Sequence, residues 1–140
     1  MILFNRLAYT NLMEVNKVME LHESAEDYLE AILMIREEKG SVRSVEVAVR
    51  LGVSKPSVSV AMKRLRENGY LEEEDGRGLV LTEEGMKAAS RIYERHRVLS
   101  SYLMRLGVDA ETARADACKM EHDLSEKSYQ AIKERVTKAI

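Results

Sequence analysis

The chain has 140 residues, 45% hydrophobic and 33% charged, with one Pro, one Phe, no Trp and a formal net charge of −2. That length suits one domain, or a small module with a helical appendage, and excludes a second large core. The composition excludes a disordered chain and an all-β fold, and predicts a mainly helical protein.

A lone Cys cannot form an internal disulfide, so nothing calls for an oxidising compartment. Met1-Ile2-Leu3-Phe4 is apolar, but Asn5 and Arg6 interrupt it before a signal-peptide core forms, and no later stretch could span a bilayer. A cytoplasmic protein with no membrane partner is expected.

Residues 1–23 show no clean periodicity and read as a tail or marginal helix, in which Met13 or Met19 could equally be the start. Ser24-Ala25-Glu26-Asp27 reads as a capping box, opening a helix through Tyr28, Ile32 and Ile35 to a stop at Gly40. On it Asp27 and Glu30, three apart, share a face. A short helix should follow over Val45–Leu51, ending at Gly52. Ser54 then caps a third helix, Lys55–Asn68, with Pro56 in its first turn and Val58, Met62 and Leu65 as an inward stripe.

Tyr70–Glu73 and Leu79–Leu81, joined by Asp75-Gly76-Arg77-Gly78, read as two short strands, the wing of a winged helix-turn-helix. Thr82 caps a long helix reaching Leu106. Two shorter helices are expected over Asp109–Asp123 and Ser125–Lys138. The fold class is therefore mainly α: a winged helix-turn-helix over 24–82, then a helical dimerisation domain over 83–140.

Charge is polarised along the chain. From Ser41 to Asn68 six basic residues face two acidic ones, a balance of +4, whereas Gly107 to Glu126 carries six acids against two bases, a balance of −4. The first stretch invites phosphates and the second invites cations.

In a helix-turn-helix the second helix enters the major groove with its N-terminal residues at the base edges. Ser54, Lys55, Pro56, Ser57 and Ser59 hold that position, with Lys63 and Arg64 further along the outer face. Arg43, ahead of the second helix, and Arg77, at the wing tip, are placed for phosphate or minor-groove contacts. Singly, each cation is an ordinary solvated charge. The order helix, Gly turn, Ser-capped basic helix and wing is what points to double-stranded DNA. The residue types do not specify the operator sequence.

Cys118, Glu121 and His122 place a thiol, a carboxylate and an imidazole on one helical face, a cluster able to hold a metal. Each has a plainer role available, such as a small buried apolar residue for Cys118. His22 is a weak extra candidate, more simply a loop histidine. An HExxH or comparable catalytic motif is missing and the chain leaves no room for a substrate domain, so neither an enzyme nor a small organic substrate is expected.

The segments Ala25-Glu26-Asp27-Tyr28-Leu29-Glu30, Gly78-Leu79-Val80-Leu81-Thr82, Arg95-His96-Arg97 and Cys118-Lys119-Met120-Glu121-His122 resemble the metal-dependent repressors typified by the diphtheria toxin repressor and the manganese transport regulator. The resemblance runs from about Ser24 to the C-terminus. The end at Ile140 implies the two-domain, manganese-type architecture without the SH3-like third domain of iron-responsive members. By position the resemblance implies metal ligands at Asp27, Glu30, His96, Cys118, Glu121 and His122. Cys118 departs from the pattern, standing where manganese-type members have Glu and iron-type members Cys. Ser100 and Arg114 occupy positions that complete an ancillary site in the iron branch, and Arg is a poor ligand.

Carboxylates favour Mn²⁺ or Fe²⁺, while one thiolate makes Fe²⁺, Co²⁺ and Zn²⁺ more competitive. One or two ions per protomer are expected. The implied function is a homodimeric, metal-activated repressor on a palindromic operator, its recognition helices about 34 Å apart or a multiple of that. Ile92, Val98, Leu99, Tyr102, Leu103 and Leu106 would supply the dimer contact. The alternative is a metal-independent winged-helix regulator sensing a small ligand or an oxidant through Cys118.

Overall fold

The computed structural model describes residues 24–73 and 75–138. The tail expected over 1–23, with His22, lies outside them. The first helix among the described residues, α1, covers 24–39, and Ser24, expected as its cap, is itself helical. α1 buries Leu29, Ile32 and Ile35, the helical spacing that puts one apolar stripe against the neighbouring helices.

α2 (Ser44–Leu51) stops at Gly52, whose φ of 65° is left-handed. The Val53 amide then donates back to Ala48 O at 3.0 Å, closing the turn in the manner of a glycine C-cap. α3 (Lys55–Glu67) begins at Ser54, whose hydroxyl accepts from the Ser57 amide, with Pro56 in the first turn. The expected stripe of Val58, Met62 and Leu65 is buried.

The wing is shorter than its sequence suggests. Leu71 and Leu81 form a single antiparallel bridge, flanked by Glu72 N to Val80 O at 2.9 Å and Thr82 N to Tyr70 O at 3.1 Å. Two strands do not develop among the described residues, because the Leu79 amide donates to Val42 O at 2.8 Å instead of extending the pair.

α4 (Glu83–Arg105) is capped by Thr82, whose hydroxyl accepts from the Gly85 amide at 3.1 Å. Gly85 brings α4 against the wing, since a Cβ there would stand 2.1 Å from Tyr70 O. α5 (Ala110–Met120) is capped by Asp109. α6 (Glu126–Lys138) follows Ser125, whose hydroxyl accepts from the Ser128 amide at 3.1 Å. The helix expected to reach Asp123 ends at Met120 instead, because Arg95 on α4 takes the carbonyls of Glu121 and Leu124 with Nη1, at 3.0 and 2.9 Å, and turns the chain there.

One core runs through α1 to the start of α4, built on Ile32, Val47, Val58, Met62, Leu71 and Ala89. A second buried layer, with Ile92, Leu99, Ala113, Ala117 and Tyr129, joins α4 to α5 and α6. Ile92 and Leu99, expected at a dimer contact, are 1% and 0% exposed and pack inside this chain. Val98, Tyr102 and Leu103 stay partly exposed, and Leu106 is open. No helix among the described residues is long and apolar enough to cross a membrane.

Candidate metal centre

α1, α4 and the end of α5 bring Asp27, Glu30, His96, Cys118, Glu121 and His122 together. Ligating atoms of Glu30, His96, Cys118 and Glu121 lie within 4.8 Å of one another, and so do those of Asp27, Glu121 and His122. Glu121 belongs to both groups. It caps α5 with a helical φ of −60°, so Glu121 keeps the helical spacing from Cys118 although the helix has ended. His122, beyond it, swings toward α1.

His96 Nδ1 lies 3.0 Å from Glu121 Oε2 and 3.6 Å from Cys118 Sγ. His122 Nε2 lies 2.8 Å from Asp27 Oδ1 and 3.5 Å from Glu121 Oε1. The other nitrogen of His122, Nδ1, lies 2.8 Å from Glu26 Oε2. Glu26 in turn reaches Arg91 of α4 at 3.9 Å. Cys118 is exposed, which sets aside the small buried apolar role open to it from sequence.

The electrostatics are unfavourable for carboxylates alone. Glu121 is fully buried, and its Oε1 and Glu30 Oε2 have no hydrogen-bond partner. Burial, reinforced by the nearby Glu121 carboxyl, pushes Glu30 up to about 8. Hydrogen bonds with Cys118 and Glu121 hold the His96 pKa at about 10. Burial works against a charged His122, yet Asp27 and Glu26 raise it to about 10 as well. Two imidazolium rings thus supply the positive charge among the acids. Buried carboxylate oxygens without partners, beside a thiol and two imidazoles from other helices, form a donor set that fits one or two divalent cations.

Two residues of the site escaped the sequence reading. Glu26 holds the outer nitrogen of His122. Arg95, 4% exposed, fixes the turn that carries Glu121 through its two carbonyl bonds, a 2.7 Å ion pair to Glu126 and a ring contact with Tyr129 at 4.8 Å. The Ser100 hydroxyl donates to His96 O at 2.7 Å, and Arg114 is exposed.

The expected DNA-facing residues lie elsewhere on the surface. Arg43, Ser54, Lys55, Pro56, Ser57, Ser59, Lys63 and Arg64 are all exposed on and around α3. Arg77 is exposed at the wing and paired with Asp75 at 2.6 Å and Glu72 at 3.2 Å, so its charge is partly spent locally.

A sequence profile described as "Iron dependent repressor, N-terminal DNA binding domain" matches residues 20–79, and one described as "Iron dependent repressor, metal binding and dimerisation domain" matches 82–139. A relative named "Transcriptional regulator MntR", from Escherichia coli O6:H1, is 43% identical over 119 residues, covering 84% of this chain and 77% of the relative. An "HTH-type transcriptional regulator MntR" from Bacillus subtilis is 41% identical over 109 residues, covering 78% of this chain and 77% of that one. The solved structure of a manganese-dependent transcriptional repressor in complex with manganese aligns with a TM-score of 0.74 at 29% identity, over 81% of this chain and 52% of that chain. That of the manganese regulator SloR aligns with a TM-score of 0.72 at 27% identity, over 81% and 53%. The chain spans about half the length of these two solved structures.

Proposed function

The chain belongs to the iron-dependent repressor family, and from that premise we propose that it is a homodimeric transcriptional repressor switched on by Mn²⁺ or Fe²⁺ and acting on a palindromic duplex operator. Its DNA-reading part is 24–82 and its dimerisation part is 83–140. It works in the cytoplasm, where Cys118 stays reduced, and it is not an enzyme.

The observation that carries this reading is the convergence of donors from both parts of the chain. Glu30 and Asp27 ride on α1, whose other side packs into the core shared with α2 and α3. His96, Cys118, Glu121 and His122 come from α4 and the end of α5. Glu30, His96, Cys118 and Glu121 would hold one ion, and Asp27, Glu121 and His122 the other. A bound divalent cation supplies the positive charge that these acids otherwise take from protonated histidines. Glu121, common to both groups, ties α1 to α5, so the orientation of the reader is set by the same carboxylates that bind. A preference for the DNA-competent geometry of about 1–3 kcal/mol is typical of such coupling.

The metal-independent alternative is the weaker one, because the matched C-terminal domain is described as metal binding. Selection from random duplexes with Mn²⁺, with Fe²⁺ under anaerobic conditions, or with chelator tests the proposal. A palindrome enriched only with metal is expected; equal enrichment with chelator rejects metal control.

A further inference from the structure

α3 turns Val58, Met62 and Leu65 inward. At about 100° per residue, Val60 stands roughly 200° from Val58, at the middle of the outward face. It is 53% exposed there, among the exposed Pro56, Ser57, Ser59, Lys63 and Arg64, with Glu67 at the far end. Neither the core nor the helix explains it. A solvent-facing position on a helix favours Lys, Glu or Ala, and a β-branched side chain there loses rotamer freedom.

The surroundings say what would cover it. The segment carrying α2 and α3 has a balance of +4, and the hydroxyls and cations around Val60 suit a polyanion. The partner must therefore be anionic outside and carry an apolar group where the centre of α3 meets it. The major groove of duplex DNA has one such group, the C5-methyl of thymine.

We propose that Val60 is a specificity-determining residue that packs on a thymine methyl in each operator half-site; this rests on the DNA-binding reading above. Lys63 and Arg64 contact phosphates without regard to sequence. Ser57 and Ser59 bond several base edges alike. Val60 discriminates by contact: at its position cytosine offers no methyl and presents an amino group that a valine leaves unpaired.

The experiment starts from the duplex enriched by the metal-loaded protein and replaces each thymine in turn with deoxyuridine, which removes one methyl and keeps every hydrogen-bonding group. For one thymine per half-site, wild-type affinity should fall roughly fourfold, the effect of one buried methyl, or about fifteenfold when both half-sites are changed. Val60→Ala should show a smaller loss at that thymine, should discriminate less between thymine and cytosine there, and should keep its unfolding temperature, because the site is on the surface. If no thymine distinguishes wild type from Val60→Ala, or if Val60→Ala weakens every duplex equally, the inference is wrong while DNA binding stands. If no duplex is enriched at all, the DNA-binding reading fails and the inference fails with it.

Discussion

His122 Nε2 lies 2.8 Å from Asp27 Oδ1, across 95 residues of sequence. This contact joins α1, which belongs to the core of the reading module, to the turn after α5. The second nitrogen of His122 is held by Glu26 at 2.8 Å, so both sides of the ring are committed before any ion arrives.

Glu26 should therefore act by orienting His122. A carboxylate on the outer nitrogen of a ligating histidine fixes the ring and raises its basicity, and its removal weakens metal affinity by about 10- to 100-fold. Glu26→Gln, titrated with Mn²⁺ and followed by electron paramagnetic resonance, should show a loss of that size in one class of sites. Unchanged binding would show that Glu26 only pairs with Arg91.

Cys118 should give its group a softer character than that of Asp27, Glu121 and His122. Co²⁺ bound to the wild type should show near-ultraviolet thiolate-to-metal charge-transfer absorption, and Cys118→Ser should lose it. The same variant should lose more affinity for Zn²⁺ and Co²⁺ than for Mn²⁺. A full-strength band in Cys118→Ser would mean that the thiol is not a ligand.

Metal uptake should release protons and tighten as pH rises. Glu30, moved from 4.5 to about 8, and His96 and His122, moved from 6.5 to about 10, hold protons at neutral pH. The raised histidines stabilise the metal-free fold fully below 6.5, a gain lost as pH climbs through about 10. Raised Glu30 resists ionisation, so between 4.5 and about 8 the metal-free fold also loses stability as pH rises. Binding requires the deprotonated forms. Calorimetry in buffers of different ionisation enthalpy should show release of more than one proton per protomer at pH 7, and affinity at pH 8.5 should exceed that at pH 6.5. A pH-independent affinity would contradict the protonated resting state.

Gly85 is a packing requirement. Gly85→Ala puts a methyl 2.1 Å from where Tyr70 O stands, and the backbone of wing or helix must move. Urea unfolding of the chelator-treated protein should show a loss of about 1–3 kcal/mol, the usual cost of overpacking. Stability within a few tenths of wild type would mean that the wing yields freely.

Helices α2 to α4 were legible because their signals are local: Ser54 and Thr82 as caps, Gly52 as a stop, and an apolar stripe at Val58, Met62 and Leu65. The convergence of Asp27, Glu30, His96, Cys118, Glu121 and His122 was legible from residue types at motif spacing together with the family resemblance. Glu26 and Arg95 were not, because their roles depend on partners 96, 26 and 29 residues away. The early end of α5 was hidden for the same reason, since a guanidinium from α4 ends it. Ile92 and Leu99 show a further limit: an apolar residue on a long helix reads alike whether it faces this chain's interior or a partner.

The most direct test is fluorescence anisotropy of one labelled operator duplex, titrated with wild type and with Glu121→Gln, each first with excess Mn²⁺ and then with chelator. Metal control of DNA binding predicts that Mn²⁺ tightens wild-type binding by about 5- to 150-fold, the range expected of coupled sites. Glu121→Gln, with the carboxylate shared by both donor groups neutralised, should bind weakly in both conditions. Equal wild-type affinity with Mn²⁺ and with chelator, or a Glu121→Gln response as large as the wild type's, would contradict it.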